Sequence, residues 1–330
     1  MTIRVAAIGV SHWHAVHDAA YLRHLTAMRD VALVGVQDGD AALARKRADE
    51  VGSPEVHTDY PRMLEETRPD FVLALGRHRQ MARIAHDLLD RGLPFLMEKP
   101  MGVNADEVAT IADKATRLKG WVAVPLFQRN QPFAIRARAL LAQGRLGPLS
   151  HLYVRINRPA PPRYVAWDSP WMLDPVEAGG GCLRNLGPHG LDMFLHLTGE
   201  EARVTGAQTS RRAHGQAVED YASVLLRSSN GILGTVEVGN GFPRTGTDGE
   251  WKIAGRDGIL TLKDGVLKLA TADGDDATPC ADDPARYFTT VRAALDAWRR
   301  GDPPPIGVRD CLRVVRLIDQ AYALAGPAGD

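Results

Sequence analysis

Short apolar runs alternate with amphipathic stretches over the first 125 residues. "IRVAAIG" (3–9), "VALVGVQD" (31–38), "DFVLAL" (70–75), "PFLME" (94–98) and "WVAVPLF" (121–127) are almost continuously apolar, as strands buried on both faces are. Stretches of helical period lie between them. One runs through Ala19, Leu22, Leu25 and Met28. "AALARKRADEVG" (41–52) and "MARIAHDLLDRG" (81–92) each end on a glycine just past the last helical turn. "NADEVATIADKATRL" (104–118) opens with Asn104 as N-cap and puts Asp106 and Glu107 in the first turn. This alternation predicts an α/β domain over residues 1–125, a doubly wound parallel sheet of Rossmann type.

The pattern changes after that point. "PFAIRARALLAQGRLG" (132–147) predicts one helix, a stretch rich in Pro and aromatics fills 159–175, and three glycines stand at 179–181. Strand-like segments at 149–157, 202–209, 219–227, 231–239, 250–255 and 258–262 are separated by turns such as "SNG" and "RDG". Such spacing predicts hairpins. Gly187-Pro188 marks an expected helix start, helical stretches near 284–299 and 308–325 close the chain, and the polar "TADGDDATPCADD" (271–283) predicts a surface loop. Residues 126–330 therefore read as an α+β domain with an open, mainly antiparallel sheet.

The length of 330 residues suits two domains of roughly 150 residues each. The hydrophobic fraction, 45%, and the charged fraction, 24%, are those of an ordinary globular protein. Lys+Arg and Asp+Glu both number 40, which leaves no global field to draw the chain onto nucleic acid or an acidic membrane, and neither partner is expected. The N-terminal apolar run is short and passes straight into the first strand, so neither a signal peptide nor a membrane span is expected. Cys182, Cys280 and Cys311 are odd in number and scattered. They fit no disulfide framework, and a reducing cytoplasm is the expected location.

The candidate chemistry sits at strand ends. In "IGVSHWHAVH" (8–17), Gly9 takes the place of the first glycine of a G-x-G-x-x-G turn, while Ser11 and His14 replace the second and third. Ser11 adds little bulk, and its N–H is expected to face a pyrophosphate at a helix N-terminus. His14 is expected to hold that helix slightly off the strand. No metal is expected at His12, His14 and His17, because helical zinc ligands favour i, i+4 pairs or a further ligand cluster. Asp38 closes the second strand, somewhat further from Gly9 than the roughly 20 positions usual for a ribose-binding acid. It could accept both ribose hydroxyls and repel a 2′-phosphate, or simply cap the next helix. "FLMEKP" (95–100) brings Glu98 and Lys99 to the ligand-binding edge of the sheet, with Pro100 fixing the turn. Lys99 there is either a solvated strand end or a cation aimed at a ligand. In "GGGCLRNLGPHGLDMFLHLTG" (179–199), Asn185, His189 and Asp192 recur at i, i+4 and i+7, which stacks them on one helix face. A histidine in such polar company reads as part of a site.

Taken together, these residues resemble the glucose–fructose oxidoreductase / inositol dehydrogenase / MocA family (Gfo/Idh/MocA). The likeness covers essentially the whole chain: the Gly9 turn, Asp38, Glu98-Lys99-Pro100, Arg129 and Pro132, the segment from the glycines to His189, and "EDYASVLLRSSNGILGTVEV" (219–238). The resemblance implies hydride transfer between a nicotinamide cofactor and a hydroxyl or keto group of a sugar- or polyol-like molecule, with NAD favoured over NADP by Asp38. Lys99 would contact the reacting hydroxyl, His189 would act as catalytic base, and Asp192 matches the acid that follows it. Asn185 stands where the family usually carries Asp, and would hold the His189 ring without adding charge. Gly9, Ser11, His12, Trp13, Asp38, Glu98 and Lys99 would line the cofactor. "GRHRQM" (76–81) departs from the family's N-x-x-H-type turn. Substrate contacts are expected from Lys99, Arg129, His189 and Asp192, and from Arg163, Tyr164, Trp167 and Trp171, which read equally as a substrate lid or as packing between domains. Two other functions stay open: a glycosidase or lyase that uses NAD for transient oxidation, and a non-catalytic regulatory protein binding NAD or a sugar. The open sheet is expected to carry a homodimer or homotetramer contact.

Overall fold

Six parallel strands build the first sheet of this computed structural model, which describes residues 2–281 and 284–326. They are β1 (Ile3–Ile8), β2 (Val31–Gln37), β3 (Glu55–His57), β4 (Phe71–Ala74), β5 (Phe95–Met97) and β6 (Val122–Ala123), in the order β3-β2-β1-β4-β5-β6. Helices α1 (Tyr21–Ala27), α2 (Ala41–Asp49), α3 (Tyr60–Thr67), α4 (His78–Asp90) and α5 (Ala105–Leu118) connect them. Every residue of β4 and β5 is buried, which explains their unbroken apolar sequence. Asn104 caps α5 as expected, its side chain accepting from the Glu107 amide at 2.9 Å. The pair β3 and α3 was not expected. β3 has no apolar run, but α3 does carry a start signal: Asp59 accepts from the Arg62 amide and Pro61 sits in the first turn.

Strand order reverses between β1 and β4, the place where open α/β sheets bind ligands. The turns leaving these two strands touch backbone to backbone. Gly9 has φ +71°, and a Cβ on it would lie 2.3 Å from the Gly76 nitrogen, so only glycine fits. The helix expected directly after this turn is absent. Trp13–Ala15 make a single 3-10 turn, and α1 begins at Tyr21. Asp18 and Ala20, with φ of 48° and 45°, adopt left-handed backbone that no α-helix can run through.

The second sheet holds β7 (Leu149–Pro159), β8 (Ala202–Ser210), β9 (Tyr221–Ser228), β10 (Leu233–Phe242), β11 (Asp248–Gly255), β12 (Gly258–Lys263), β13 (Val266–Thr271) and β14 (Gly274–Pro279), in the order β14-β13-β12-β11-β7-β10-β9-β8. All neighbours pair antiparallel except β7 and β10. The stretch expected as a polar loop is largely a hairpin, with Thr271 opposite Gly274 and Val266 opposite Pro279. β14 is exposed along its whole length and so shows no apolar signal. Asp282 and Asp283, from the same stretch, lie outside the described residues.

The remaining helices are α6 (Pro132–Ala142), α7 (Pro162–Ala166), α8 (Pro175–Ala178), α9 (Cys182–Thr198), α10 (Ala285–Arg300) and α11 (Val308–Ala325). α9 starts earlier than its Gly-Pro pair suggested, and Pro188 lies inside it. The reason is a cap remote in sequence. Glu219 accepts from the Gly181 amide at 2.8 and 2.9 Å and from the Leu183 amide at 3.0 Å, which satisfies the first helical donors and sets a negative charge at the positive end of the helix. Asn185 is therefore helical, on the same helix as His189 and Asp192.

The chain divides into two compact units. One gathers Met1–Pro125, Tyr164–Gly179 and Tyr287–Leu312; the other gathers Leu126–Arg163, Gly180–Arg286 and Arg313–Asp330. The expected division at 125/126 is one of the crossings, and the chain returns to the first unit twice. Val291, Ala294 and Leu295 of α10 fill the same core as Val5, Leu73 and Leu96, while Phe194, Val236 and Ile318 belong to the core of the second unit.

Candidate functional site

In the first unit, Asp38 follows β2 and is buried. Its Oδ2 accepts from the Ser11 amide at 2.7 Å and its Oδ1 from the Asp40 amide at 3.2 Å. It does not cap α2; Asp40 does, accepting from the Ala42 and Leu43 amides at 2.9 and 3.1 Å. The Ser11 N–H is thereby committed inside the protein and is not directed at a pyrophosphate as expected. Its neighbours are committed too. Gly9 and Val10 donate to the Gln37 carbonyl at 2.8 and 3.1 Å, and His12 donates to the Gly9 carbonyl at 3.1 Å. With no α-helix launched from the turn, the chain folds its amides back on the end of β2.

Two clefts open along this edge. The smaller, about 270 Å³, is lined by Gly9, Asp38, Gly39, Asp59, Tyr60 and Arg83, among others. The larger, about 720 Å³, includes Lys46, Asp168, Trp171 and Glu177 in its wall. Ser11, Asp38, Asp40 and Arg77 line both. A strand-end carboxylate with lone pairs to spare, beside the close approach of Gly9 and Gly76, fits the ribose end of a dinucleotide.

A buried polar hub lies at the end of β5. Glu98 and Lys99 are 0% and 1% exposed, so Lys99 is no solvated strand end. The Tyr21 hydroxyl donates to Glu98 Oε1 at 2.6 Å, and His14 Nδ1 meets the same oxygen at 2.8 Å. Burial alone would push the Glu98 carboxyl up; the His14 ring, by charge and hydrogen bond, and the Lys99 ammonium more than reverse this and hold it at about 2. Burial pushes Lys99 below the ordinary lysine value, opposed by the charge of Glu98. His14 is thus part of the hub, not a spacer between helix and strand.

His12 is buried and held neutral by that burial. Its Nδ1 accepts from the His14 amide at 3.1 Å, which assigns the ring proton to Nε2. The ring stacks on Trp13, centroids 4.0 Å apart. His12, His14 and Glu98 bring potential ligand atoms within 4.8 Å of one another. In the structure His12 Nδ1 accepts the His14 amide and His14 Nδ1 is engaged by Glu98. His17 stands apart and stacks on Trp167 at 5.6 Å.

Tyr164 and Trp171 close over Trp13, with centroids 5.4 and 5.9 Å away. Their segment is pinned to the glycine turn. Ser169 Oγ donates to the Ser11 carbonyl at 2.6 Å, and Arg47 donates to the Trp167 carbonyl at 3.1 Å and to Asp168 at 3.0 Å. Lys46 adds a 2.8 Å contact to Asp168. Sequence reasoning missed Tyr21, Arg47 and Arg77. Tyr21 and Arg47 lie in helical stretches that read as ordinary packing and surface, and only the odd turn "GRHRQM" pointed to Arg77.

In the second unit, His189 is buried, with its ring 4.8 Å from that of Phe127. Asp192 takes Arg129 in a forked pair, at 2.6 Å to Nη2 and 2.9 Å to Nε. These two residues, both expected on substrate, bind each other. Arg163 donates to the Pro159 carbonyl and to Asn240 Oδ1, the latter at 2.8 Å. Asn185 is buried one turn before His189. The expected residues thus fall in two sets: Gly9, Ser11, His12, Trp13, Asp38, Glu98, Lys99, Tyr164, Trp167 and Trp171 in the first unit, and Arg129, Arg163, Asn185, His189 and Asp192 in the second.

A parallel sheet with Gly9 and Asp38 at its switch point, joined to a mainly antiparallel open sheet, defines a dinucleotide-dependent oxidoreductase. Residues 3–125 match the model of the oxidoreductase family with an NAD-binding Rossmann fold, and residues 134–261 match the GFO/IDH/MocA C-terminal domain. The chain belongs to the Gfo/Idh/MocA family, and its nicotinamide cofactor is NAD. It is 31% identical to the rhizopine catabolism protein MocA of Rhizobium meliloti over 55% of each chain. It is 25% identical to inositol 2-dehydrogenase 2 of Saccharopolyspora erythraea over 90% of this chain and 84% of that one. An oxidoreductase from Agrobacterium radiobacter, solved with NAD+, L-tartaric acid and magnesium, shares the fold with a TM-score of 0.87 at 17% identity, over 98% of this chain and 96% of that one. Among the described residues no helix is long and apolar enough to cross a membrane.

Proposed function

We propose that the protein is an NAD-dependent dehydrogenase acting on a CH–OH group of a sugar- or polyol-like small molecule, with Lys99 and His189 as its catalytic residues. The observation that carries this reading is the buried Glu98–Lys99 pair, anchored by Tyr21 and His14 at the ligand edge of the parallel sheet. A lysine kept there against its desolvation cost has a use for its charge. The name of the inositol dehydrogenase relative supports the substrate class. NAD supplies the hydride acceptor. The Lys99 ammonium stabilises the developing alkoxide, His189 takes the hydroxyl proton, and Asn185 orients the His189 ring. The Arg129–Asp192 fork fixes the far end of that helix face. Asp38 and Gly9 hold the ribose end, and the Asp38 charge disfavours a 2′-phosphate. Tyr164, Trp167 and Trp171 form a substrate wall pinned to the glycine turn.

The outer face of β9 and β10 exposes Tyr221, Leu225 and Leu233, which supports a homodimer or homotetramer through this sheet. The odd number and wide scatter of Cys182, Cys280 and Cys311 along the chain support a reducing, cytoplasmic setting. The test is a polyol and sugar panel followed by NADH absorbance, with cofactor binding measured separately. Turnover of a neutral polyol or sugar with NAD is expected. Binding of NAD with no net reduction on any hydroxyl substrate would replace this reading by a redox-neutral enzyme or a regulatory protein.

A further inference from the structure

A Rossmann turn ordinarily holds the cofactor diphosphate on free backbone amides at a helix N-terminus. This chain has committed four of those amides elsewhere and displaced the helix. The amides of Gly9, Val10, Ser11 and His12 all donate to Gln37, Asp38 or Gly9, and the helix that should begin at the turn begins at Tyr21. A diphosphate links the adenosine and nicotinamide ends of the cofactor, so it belongs where the two clefts share their wall. The shared residues are Ser11, Asp38, Asp40 and Arg77. Two of these are carboxylates, which would repel a diphosphate. Arg77 is the cation among the four.

We propose that Arg77 takes over from the glycine turn as the anchor of the NAD diphosphate. Arg77 follows β4 directly, across the Gly9–Gly76 backbone contact from the first turn, so strand and turn geometry place its Cα at the switch point. Its guanidinium is half-exposed and carries one loose ion pair, 3.6 Å to Glu177, itself in the wall of the larger cleft. A planar fork suits two phosphate oxygens, and exchanging a loose carboxylate contact for a doubly charged group strengthens the pairing. The other cations lining the clefts are otherwise placed: Lys46 lies 2.8 Å from Asp168, and Arg83 lies over the Tyr60 ring at 5.6 Å. The odd sequence at 76–81 and the missing glycines at 11 and 14 then have one explanation, because a side-chain cation after β4 makes turn amides after β1 dispensable.

The experiment is calorimetric titration of NAD and of ADP-ribose into wild type, Arg77→Gln and Arg77→Lys at two salt concentrations, with adenosine as the ligand lacking a diphosphate. Arg77→Gln is expected to weaken NAD and ADP-ribose by roughly 10- to 100-fold, to flatten the salt dependence, and to leave adenosine binding unchanged. Arg77→Lys is expected to recover part of the loss, since it restores charge without the fork. Glu177→Gln serves as the complementary variant and is expected to bind ADP-ribose more tightly than wild type by a few-fold. NAD affinity unchanged in Arg77→Gln would overturn the proposal and leave the cofactor assignment standing. An equal loss for adenosine would overturn it as well, as a change of cleft shape. A wild type that binds neither NAD nor ADP-ribose would overturn the proposal together with the cofactor assignment.

Discussion

Tyr21 reports on the hub more directly than the residues a motif search would choose. Its hydroxyl donates to an ionised, fully buried carboxylate, a bond of the stronger kind. Tyr21→Phe is expected to cost about 1.5–3 kcal/mol in a urea melt, with His14 still bonded to Glu98. Glu98 gives a pH prediction of definite sign. Its carboxyl is held at about 2 in the folded chain against an ordinary 4.5, so the unfolded chain takes up the proton first. The stability contributed by this group is complete above pH 4.5 and is lost as pH falls toward 2. Melts at pH 3 and pH 6 should therefore differ more for wild type than for Glu98→Gln. In the proposed mechanism the ammonium is the working form of Lys99, so its lowering by burial should set an alkaline limit to turnover below the ordinary lysine range. Lys99→Met should cut turnover by roughly 100-fold or more with NAD affinity nearly kept. Glu98, Lys99 and His189 stood out in the sequence because their neighbours form a recognisable string. The partners that hold Glu98 were not. Tyr21 sits on the apolar stripe of α1, and His14 occupies a position where a glycine was sought, so neither advertised a bond to a residue some 80 positions away.

At the scale of elements, α9 shows how a distant contact moves a helix boundary. Gly-Pro at 187–188 signals a start, yet Glu219 collects the amides of Gly181 and Leu183 together with the Tyr322 hydroxyl at 2.8 Å, and the helix begins at Cys182, more than a turn earlier. The glycines before it are required by packing. A Cβ on Gly181 would stand 2.2 Å from the Glu219 carbonyl oxygen, and one on Gly180 2.1 Å from the Tyr322 hydroxyl. Glu219→Gln is expected to lower stability by about 1–2 kcal/mol, measurable by thermal melting. It should also raise amide exchange over the first turns of α9, including Asn185. The aromatic segment is held by side-chain bonds, Ser169 to the Ser11 carbonyl and Arg47 to Trp167 and Asp168. Arg47→Met should speed amide exchange over 164–179 while leaving the parallel sheet protected. Its aromatic composition was legible from the sequence. Its attachment was not, because Arg47 looked like one more charge on a solvated helix.

At the scale of the molecule, alternation of apolar and polar positions was enough to separate a parallel from an antiparallel sheet. It failed at β3 and β14, short or exposed strands with no buried face to impose a pattern, and at β13, which buries only Leu269, and it did not foresee the parallel pairing of β7 with β10. The outer face of the second sheet supplies a test of assembly. Leu225 and Leu233 are nearly half exposed on neighbouring strands, and the proposed homodimer or homotetramer contact through them predicts that replacing both by Lys lowers the mass in light scattering to that of a monomer, with the fold retained. The division of the chain into interleaved units carries a consequence for its synthesis. The Rossmann core takes Val291, Ala294 and Leu295 from α10, and the second core takes Val314, Leu317 and Ile318 from α11. A ribosome works from one end, so the sheet made first must wait, incompletely covered, until the second sheet has been made and the chain has come back. Both cores close within the last helices to emerge. Nascent chains arrested before α10 should be cut readily by protease even though every strand of the first sheet is already present, and resistance should appear for both units together at nearly full length.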